Sequence, residues 1–351
     1  VIPGTGDQVV ILNGRTVTTA IARTVGAITI EAGATLDLGN TTGHSLGSVD
    51  GQGTLRLSTV TYPGGTFTPF VSNIGGTIEY YNLPAGANIL ASTPASVNTY
   101  NNLVFSNSTG TSYSATTNSS LTINGNLSLS RSGAGTTTLT FGSAAGSWTT
   151  SVLKDVTIGT GCTINTNSAY NGAHTFNISG NLDVTGTIDL TNGAAYSVPA
   201  NGRATLRFLG SVANTQATFN AGAVADLFDV TITKNEGYEL FINASPSATV
   251  GFNGGGATIM PIQGTLRLGP NITVPRLING GNYDLGAPGV LPVFWIDGAN
   301  VTDGGLGGAI VPYGTLKITA GSLTCVNGQG AVVLRESGLL QIDGGTATMR
   351  I

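Results

Sequence analysis

Charge is scarce in this sequence. Asp, Glu, Lys and Arg together make up 9% of 351 residues, against roughly 25% in ordinary globular domains. The 13 basic residues are scattered singly, so no basic stripe is available to follow a phosphate backbone and no nucleic-acid partner is expected. No segment approaches the roughly 18–20 continuous apolar residues of a membrane helix, so no membrane insertion is expected. Histidines and cysteines number two each. His44 and His174 lie far apart without a second metal-ligating neighbour, which argues against zinc. His44 falls in a Gly/Ser stretch and is expected to be exposed. Cys162 alternates with Ile164, and Cys325 with Leu323, so both thiols are expected to face inward, buried and unpaired.

Helical patterning is nearly missing as well. Residues 221–228, an Ala- and Val-rich run, are the best candidate for a helix. Without helices, a phosphate-cradling loop has no helix N-terminus to use. Hydrophobic residues still make up 40% of the chain and the net charge is only −4, so a disordered chain is not expected. No secretory leader opens the sequence, which starts on a turn-like Pro3-Gly4 and stops at Ile351 after a strand-like run. A processed protein or a piece of a longer one is the expectation.

What the chain does have is a repeated phrase: a Gly, a spacer, then Leu or Ile alternating with a polar residue. It appears as Gly53-Thr54-Leu55-Arg56-Leu57, Gly76-Thr77-Ile78-Glu79-Tyr80, Gly264-Thr265-Leu266-Arg267-Leu268 and Gly314-Thr315-Leu316-Lys317-Ile318. Steps of 19, 23, 25 and 24 residues separate Thr35, Thr54, Thr77, Asn102 and Asn126. A strand-sized unit returning at that interval predicts stacked coils, because one coil cannot bury its inward Leu, Ile and Val side chains alone. The expected fold is all-β: a right-handed parallel β-helix, or solenoid, of roughly 14 coils. Residues 1–30 read as an N-terminal cap or first coil. Residues 31–351 read as the solenoid, with longer loops or insertions around 58–75 and 270–313. An antiparallel sandwich would need strands 8–12 residues apart with hairpin turns. Single Gly or polar steps, as between Ile178 and Leu182, suit coil corners instead.

The opening, Gly-Asp-Gln-Val-Val-Ile-Leu-Asn-Gly-Arg-Thr-Val from Gly6 onward, resembles β-helical modules of very large secreted or surface adhesin-like proteins of Bacteroidota. The stretches from Thr99 to Ser106 and from Leu121 to Leu129 are similar to phrases of the same proteins. The resemblance implies an extracellular or cell-surface protein, exported by the type IX system. The C-terminal export domain of such proteins is not evident in this sequence.

Stacking brings residues one coil apart together, so chemistry is sought across coils. Asp37, Arg56 and Glu79 occupy one outward position in three successive coils. Such a row could serve a polysaccharide lyase or glycoside hydrolase of pectate-lyase-like architecture. The expected reading is a salt-bridge ladder. Asp183 and Asp189 form a second outward pair on adjacent faces. Calcium is a possible cofactor through Asp297, Asn300 and Asp303, which sit within seven residues of one another; ordinary turns are the alternative. Tyr80, Tyr81, Trp148 and Trp295 are candidates for stacking on sugar rings, or for sealing loops onto the core. Thr-x-Thr does not recur at one coil position, so an ice-binding face is not expected. The chain reads as a structural or adhesive module, not an enzyme, with other modules, like subunits or surface glycans as partners.

Overall fold

The computed structural model describes residues 3–89, 98–142, 146–167, 169, 172–191, 202–210, 212–255, 257–304, 308–326 and 332–349. Val1 and Ile2 of the expected cap, residues 305–307 of the 270–313 segment and the final Ile351 fall outside them. Among the described residues every regular element is a β-strand. The chain divides into two compact units, Val1–Ile164 and Asn165–Ile351, and each is a parallel β-solenoid.

In the first unit one long ladder runs through Thr16–Thr18, Thr35–Asp37, Thr54–Leu57, Thr77–Tyr81, Asn102–Asn107, Leu127–Arg131 and Val156–Ile158. Each strand pairs in parallel with the next. The paired residues confirm the sequence spacing: Thr35 lies against Thr54, Thr54 against Thr77 and Thr77 against Asn102. Behind this ladder stand shorter walls. Gln8–Ile11, Ala27–Ile30, Ser45–Gly51 and Gly64–Thr66 form one. Farther along, Thr99–Tyr100, Leu121–Ile123 and Thr149–Val152 form another, and Ala87–Asn88, Tyr113–Thr117 and Thr137–Phe141 a third. Residues 8–18 are thus the first turn itself.

The second unit repeats the plan. Its long ladder is Leu182–Val184, Thr215–Phe219, Glu239–Ala244, Thr265–Leu268, Val293–Thr302, Thr315–Thr324 and Leu339–Ile342. A second wall contains Ala173–Ile178, Arg203–Gly210, Val230–Lys234 and Ile259–Gln263; a third contains Thr187–Asp189, Val224–Leu227 and Thr249–Phe252. The segment 270–313, expected as loop or insertion, holds a full extra turn, because Val293 pairs with both Thr265 and Thr315. Residues 221–228 are not helical; Val224–Leu227 is a strand whose side chains alternate between solvent and core. Two-residue alternation decides there, since a helix would bury a different face. The solenoid makes about 11 turns, close to the 14 expected.

The core is a set of aliphatic columns. Leu36, Leu55, Ile78, Leu103, Leu127 and Val156 stack one upon the next and are all buried. Ala217, Ile242, Leu268, Ile296 and Ile318 do the same in the second unit. Each buried Leu or Ile contributes about 1.5–3 kcal/mol relative to exposure, and the neighbouring rungs provide the cover. Corners demand special backbone. Gly47 has φ of +58°, and a Cβ there would overlap the carbonyl of Gly26 on the preceding turn. Asparagine side chains tie corners together: the backbone N–H of Asn126 donates to Asn102 Oδ1 at 3.0 Å, and that of Asp155 to Asn126 Oδ1 at 3.1 Å.

Candidate functional site

The outward row of the first unit forms as the spacing implies. Asp37 pairs in register with Arg56, and Arg56 with Glu79. Alternation points all three away from the aliphatic column that Leu36, Leu55 and Ile78 occupy. Arg56 donates from Nε to Glu79 Oε2 at 2.8 Å and from Nη1 to Asp37 Oδ2 at 3.1 Å. The guanidinium side chain is 30% exposed, and the two carboxylates 12% and 18%. Partial burial works against the Arg56 charge, but the hydrogen bonds and field of Glu79, then the field of Asp37, outweigh it and raise its pKa. The remaining oxygens are also taken. Asp37 Oδ1 accepts from the Tyr81 hydroxyl at 2.8 Å and from the backbone N–H of Gly39 at 2.9 Å. Glu79 Oε1 accepts from Ser106 Oγ. The Arg56 guanidinium also lies 4.1 Å from the Tyr81 ring centre.

A second row, longer and more aromatic, crosses the outward face of the second unit. Phe241, Arg267, Trp295, Lys317 and Gln341 fall in register on five successive rungs. Cations and rings alternate along it. Arg267 lies 4.7 Å from the Phe241 ring centre and 4.3 Å from that of Trp295. Lys317 Nζ stands 4.4 Å from the Trp295 ring centre. Trp295 thus has a cation on each neighbouring rung. Arg267 pairs with Asp297 at 2.5 Å and with Glu239 at 3.6 Å. The Trp295 indole N–H donates to Thr319 Oγ1 at 2.7 Å, and that hydroxyl donates to Asp297 Oδ1 at 2.7 Å. The Thr319 hydrogen bond, opposed by partial burial and aided by Arg267, holds the Asp297 carboxyl below its ordinary value.

No family model matches this sequence, and no curated protein and no solved structure is significantly similar to it. The side chains themselves must therefore carry the functional reading.

Several candidate residues sit in surroundings other than those expected of them. Tyr80 is a core residue with no surface to offer a ligand: it is 0% exposed, stacks on Phe105 and meets the Tyr100 hydroxyl at 3.3 Å. Its strand, Thr77–Tyr81, buries every second residue, and Tyr80 shares the inward set with Ile78. Tyr81 points outward, but the Arg56 cation lies against its ring. Trp148 is half-buried, its ring folded back over Gly146. His44 is 4% exposed, not open to solvent, and its Nδ1 accepts the backbone N–H of Arg23 at 3.2 Å. Burial, then the nearby Arg23 charge, lowers its pKa.

Each of the calcium candidates has a protein partner of its own. Asp297 belongs to the Arg267 pair. Asn300 Oδ1 accepts from Ser322 Oγ at 2.8 Å, and the buried Asp303 accepts from the backbone N–H of Val326 at 3.1 Å. Among the described residues no three His, Cys, Asp or Glu side chains gather into a metal site. Asp183 lies on the long ladder, where it accepts from Asn220 Nδ2 at 2.6 Å, and Asp189 lies on the third wall. Cys162 is buried, Cys325 is half-buried, and both are free. The residues missed from the sequence are Arg267, Phe241 and Lys317. The signal was present, since Arg267 and Lys317 hold the same repeat position as Arg56, but the aromatic partners lie one rung away.

Proposed function

We propose that the chain is a structural, adhesive β-solenoid module of a large extracellular surface or filament protein. Its neighbours would be other modules of the same chain or like subunits, and its irregular loops would meet surface glycans. One observation supports this reading above the others: Arg56 closes on both Asp37 and Glu79. General acid–base chemistry at a glycosidic bond needs one carboxyl free to give a proton and another free to take one or to attack. Here all four carboxylate oxygens already accept hydrogen bonds. Such a row braces rungs against one another.

The aromatic row of the second unit fits the same role. Sugar stacking needs an open ring face, whereas both neighbours of the Trp295 ring are cations. Glycan contacts in this reading therefore fall to the loops and to ring edges.

The test combines a glycan array with a reducing-sugar assay on acidic polysaccharides, using the full chain. Glycan binding without turnover, or neither, agrees with the proposal. Turnover abolished by Asp37→Asn would replace it with a carbohydrate-active enzyme.

A further inference from the structure

Lys234 ends the strand Val230–Lys234 on its inward side, with Val230 and Ile232, and is 0% exposed. A lysine is almost never fully buried unless it is paired with an acid. Among the described residues no acid pairs with this one. Its Nζ donates to the main-chain carbonyls of Ser179 at 3.1 Å and Leu209 at 3.2 Å. The register sets Phe208 against Ile178 and Ile232 against Phe208. The two carbonyls therefore belong to the two turns before the lysine's own, and one side chain spans three turns. Gly210 pairs with Lys234 on the preceding rung. On the following turn glycine is required at position 264, since a Cβ there would press on Lys234 Cβ at 2.7 Å.

Counting donors identifies the form this place suits. An ammonium group brings three N–H donors and a charge, whereas a neutral amine brings two N–H donors. Two acceptors are present, both uncharged. The ionisable groups on the packed elements point elsewhere. Arg203 lies on the Phe228 ring, Arg207 is exposed, and Arg267 pairs with Glu239. Glu236 is exposed and Tyr238 half-buried in the following turn. His174 stands at the far end of the strand before Ser179. Asp183, on the strand after Ser179, is exposed.

We propose that Lys234 is a proton-sensitive clamp: uncharged, its two N–H groups tie three successive turns of the second unit together with no donor left over, and protonation loosens the tie. Burial lowers the pKa of this amine from 10.5 to about 8, with no charged neighbour contributing. Between those two values the unfolded chain holds a proton that the folded chain lacks, so stability rises as pH increases through that window. Below about 8 both states are charged and the buried charge is carried in full.

The chain has three lysines, Lys154, Lys234 and Lys317, which makes the test direct. The ¹³Cε resonances of labelled lysine are followed against pH in the whole chain and assigned with Lys154→Arg and Lys317→Arg. One resonance is expected to titrate near 8 and to be missing from Lys234→Met. Three resonances titrating together in the ordinary lysine range would overturn the proposal. The thermal midpoint of the wild type relative to Lys234→Met should rise steadily from pH 7.5 to 10; a constant difference would also overturn it. Should Lys234→Met fail to fold, the wild-type titration decides alone.

Discussion

The Arg267 guanidinium lies 4.3 Å from the centre of the Trp295 ring, one rung away, and reaches past it to the Asp297 carboxylate on the same neighbouring strand. One side chain therefore joins a ring and two acids across three rungs. Replacing Arg267 with Met should cost about 1–2 kcal/mol, from a part-exposed ion pair plus a cation–ring contact. Arg267→Lys should recover less than half of that, because an ammonium cannot lie flat on the ring while bridging both carboxylates. Urea midpoints read both; equal stability of Arg267→Met and wild type would remove the ladder from the account of the fold.

Arg56→Gln should lower the stability of the first unit by about 1 kcal/mol, discounted for partial exposure. It leaves Asp37 and Glu79 without the cation between them. Added salt should narrow the gap to wild type, since screening weakens the remaining repulsion. The double change Arg56→Gln with Glu79→Gln should recover part of the loss. A gap unchanged between low and high salt would argue that packing of the Arg56 stem, not charge, matters.

Asp297 gives the second unit an acid limit. Its carboxyl is held below the ordinary 3.8 by the Thr319 hydroxyl and, against partial burial, by Arg267. The stability this adds is present above 3.8 and is lost as pH falls through the lower folded value. Thr319→Val removes the first cause and should reduce the stability lost between pH 4 and 2. The observable is the slope of the unfolding free energy over that range, and a slope that Thr319→Val leaves alone contradicts the assignment.

His44 acts at a higher pH and in the other unit. Its folded pKa lies below 6.5, chiefly because the ring is buried and secondarily because of Arg23. The unfolded chain takes up this proton first, so stability falls as pH drops below 6.5. His44→Phe should flatten the stability curve between pH 6.5 and 5. Hydrogen exchange of the strand Ser45–Gly51 provides a local readout, and identical pH dependence in both proteins would count against it.

Cys325 should be a poor nucleophile. Burial, then the nearby Asp303, raises its pKa from 9.0 to about 11, which leaves about 100-fold less thiolate near neutral pH. Alkylation of the native chain by iodoacetamide should be slower than that of a free cysteine by about this factor, and Asp303→Asn should speed it modestly. Labelling at the free-thiol rate would show that the half-buried sulfur is open and ionised.

Much of this architecture was legible in the sequence because a parallel ladder in register turns spatial neighbours into a fixed offset along the chain. The offsets from Asp37 to Arg56 to Glu79 are those of the observed register. Where several walls coexist, the offset misleads. Thr205 belongs to the second wall and Thr265 to the long ladder, so an offset counted from one to the other compares two different columns. The outward aromatics were harder, since one-strand alternation shows that Trp295 faces out but not that Arg267 and Lys317 flank it. His44 and Lys234 were the least legible. Their burial depends on turns before and after them, and a Gly/Ser stretch or a polar strand end carries no mark of that.

The steps along the first unit's ladder vary from 19 to 29 residues without loss of register. Length is thus free at the corners and rigid in the rungs. A foreign peptide spliced between Leu57 and Gly64 should leave the stack intact, whereas one extra residue inside Thr54–Leu57 would turn Arg56 toward the aliphatic column and Leu55 toward water. For anyone grafting loops onto this chain, position along a rung is a fixed coordinate and distance around a turn is a free one.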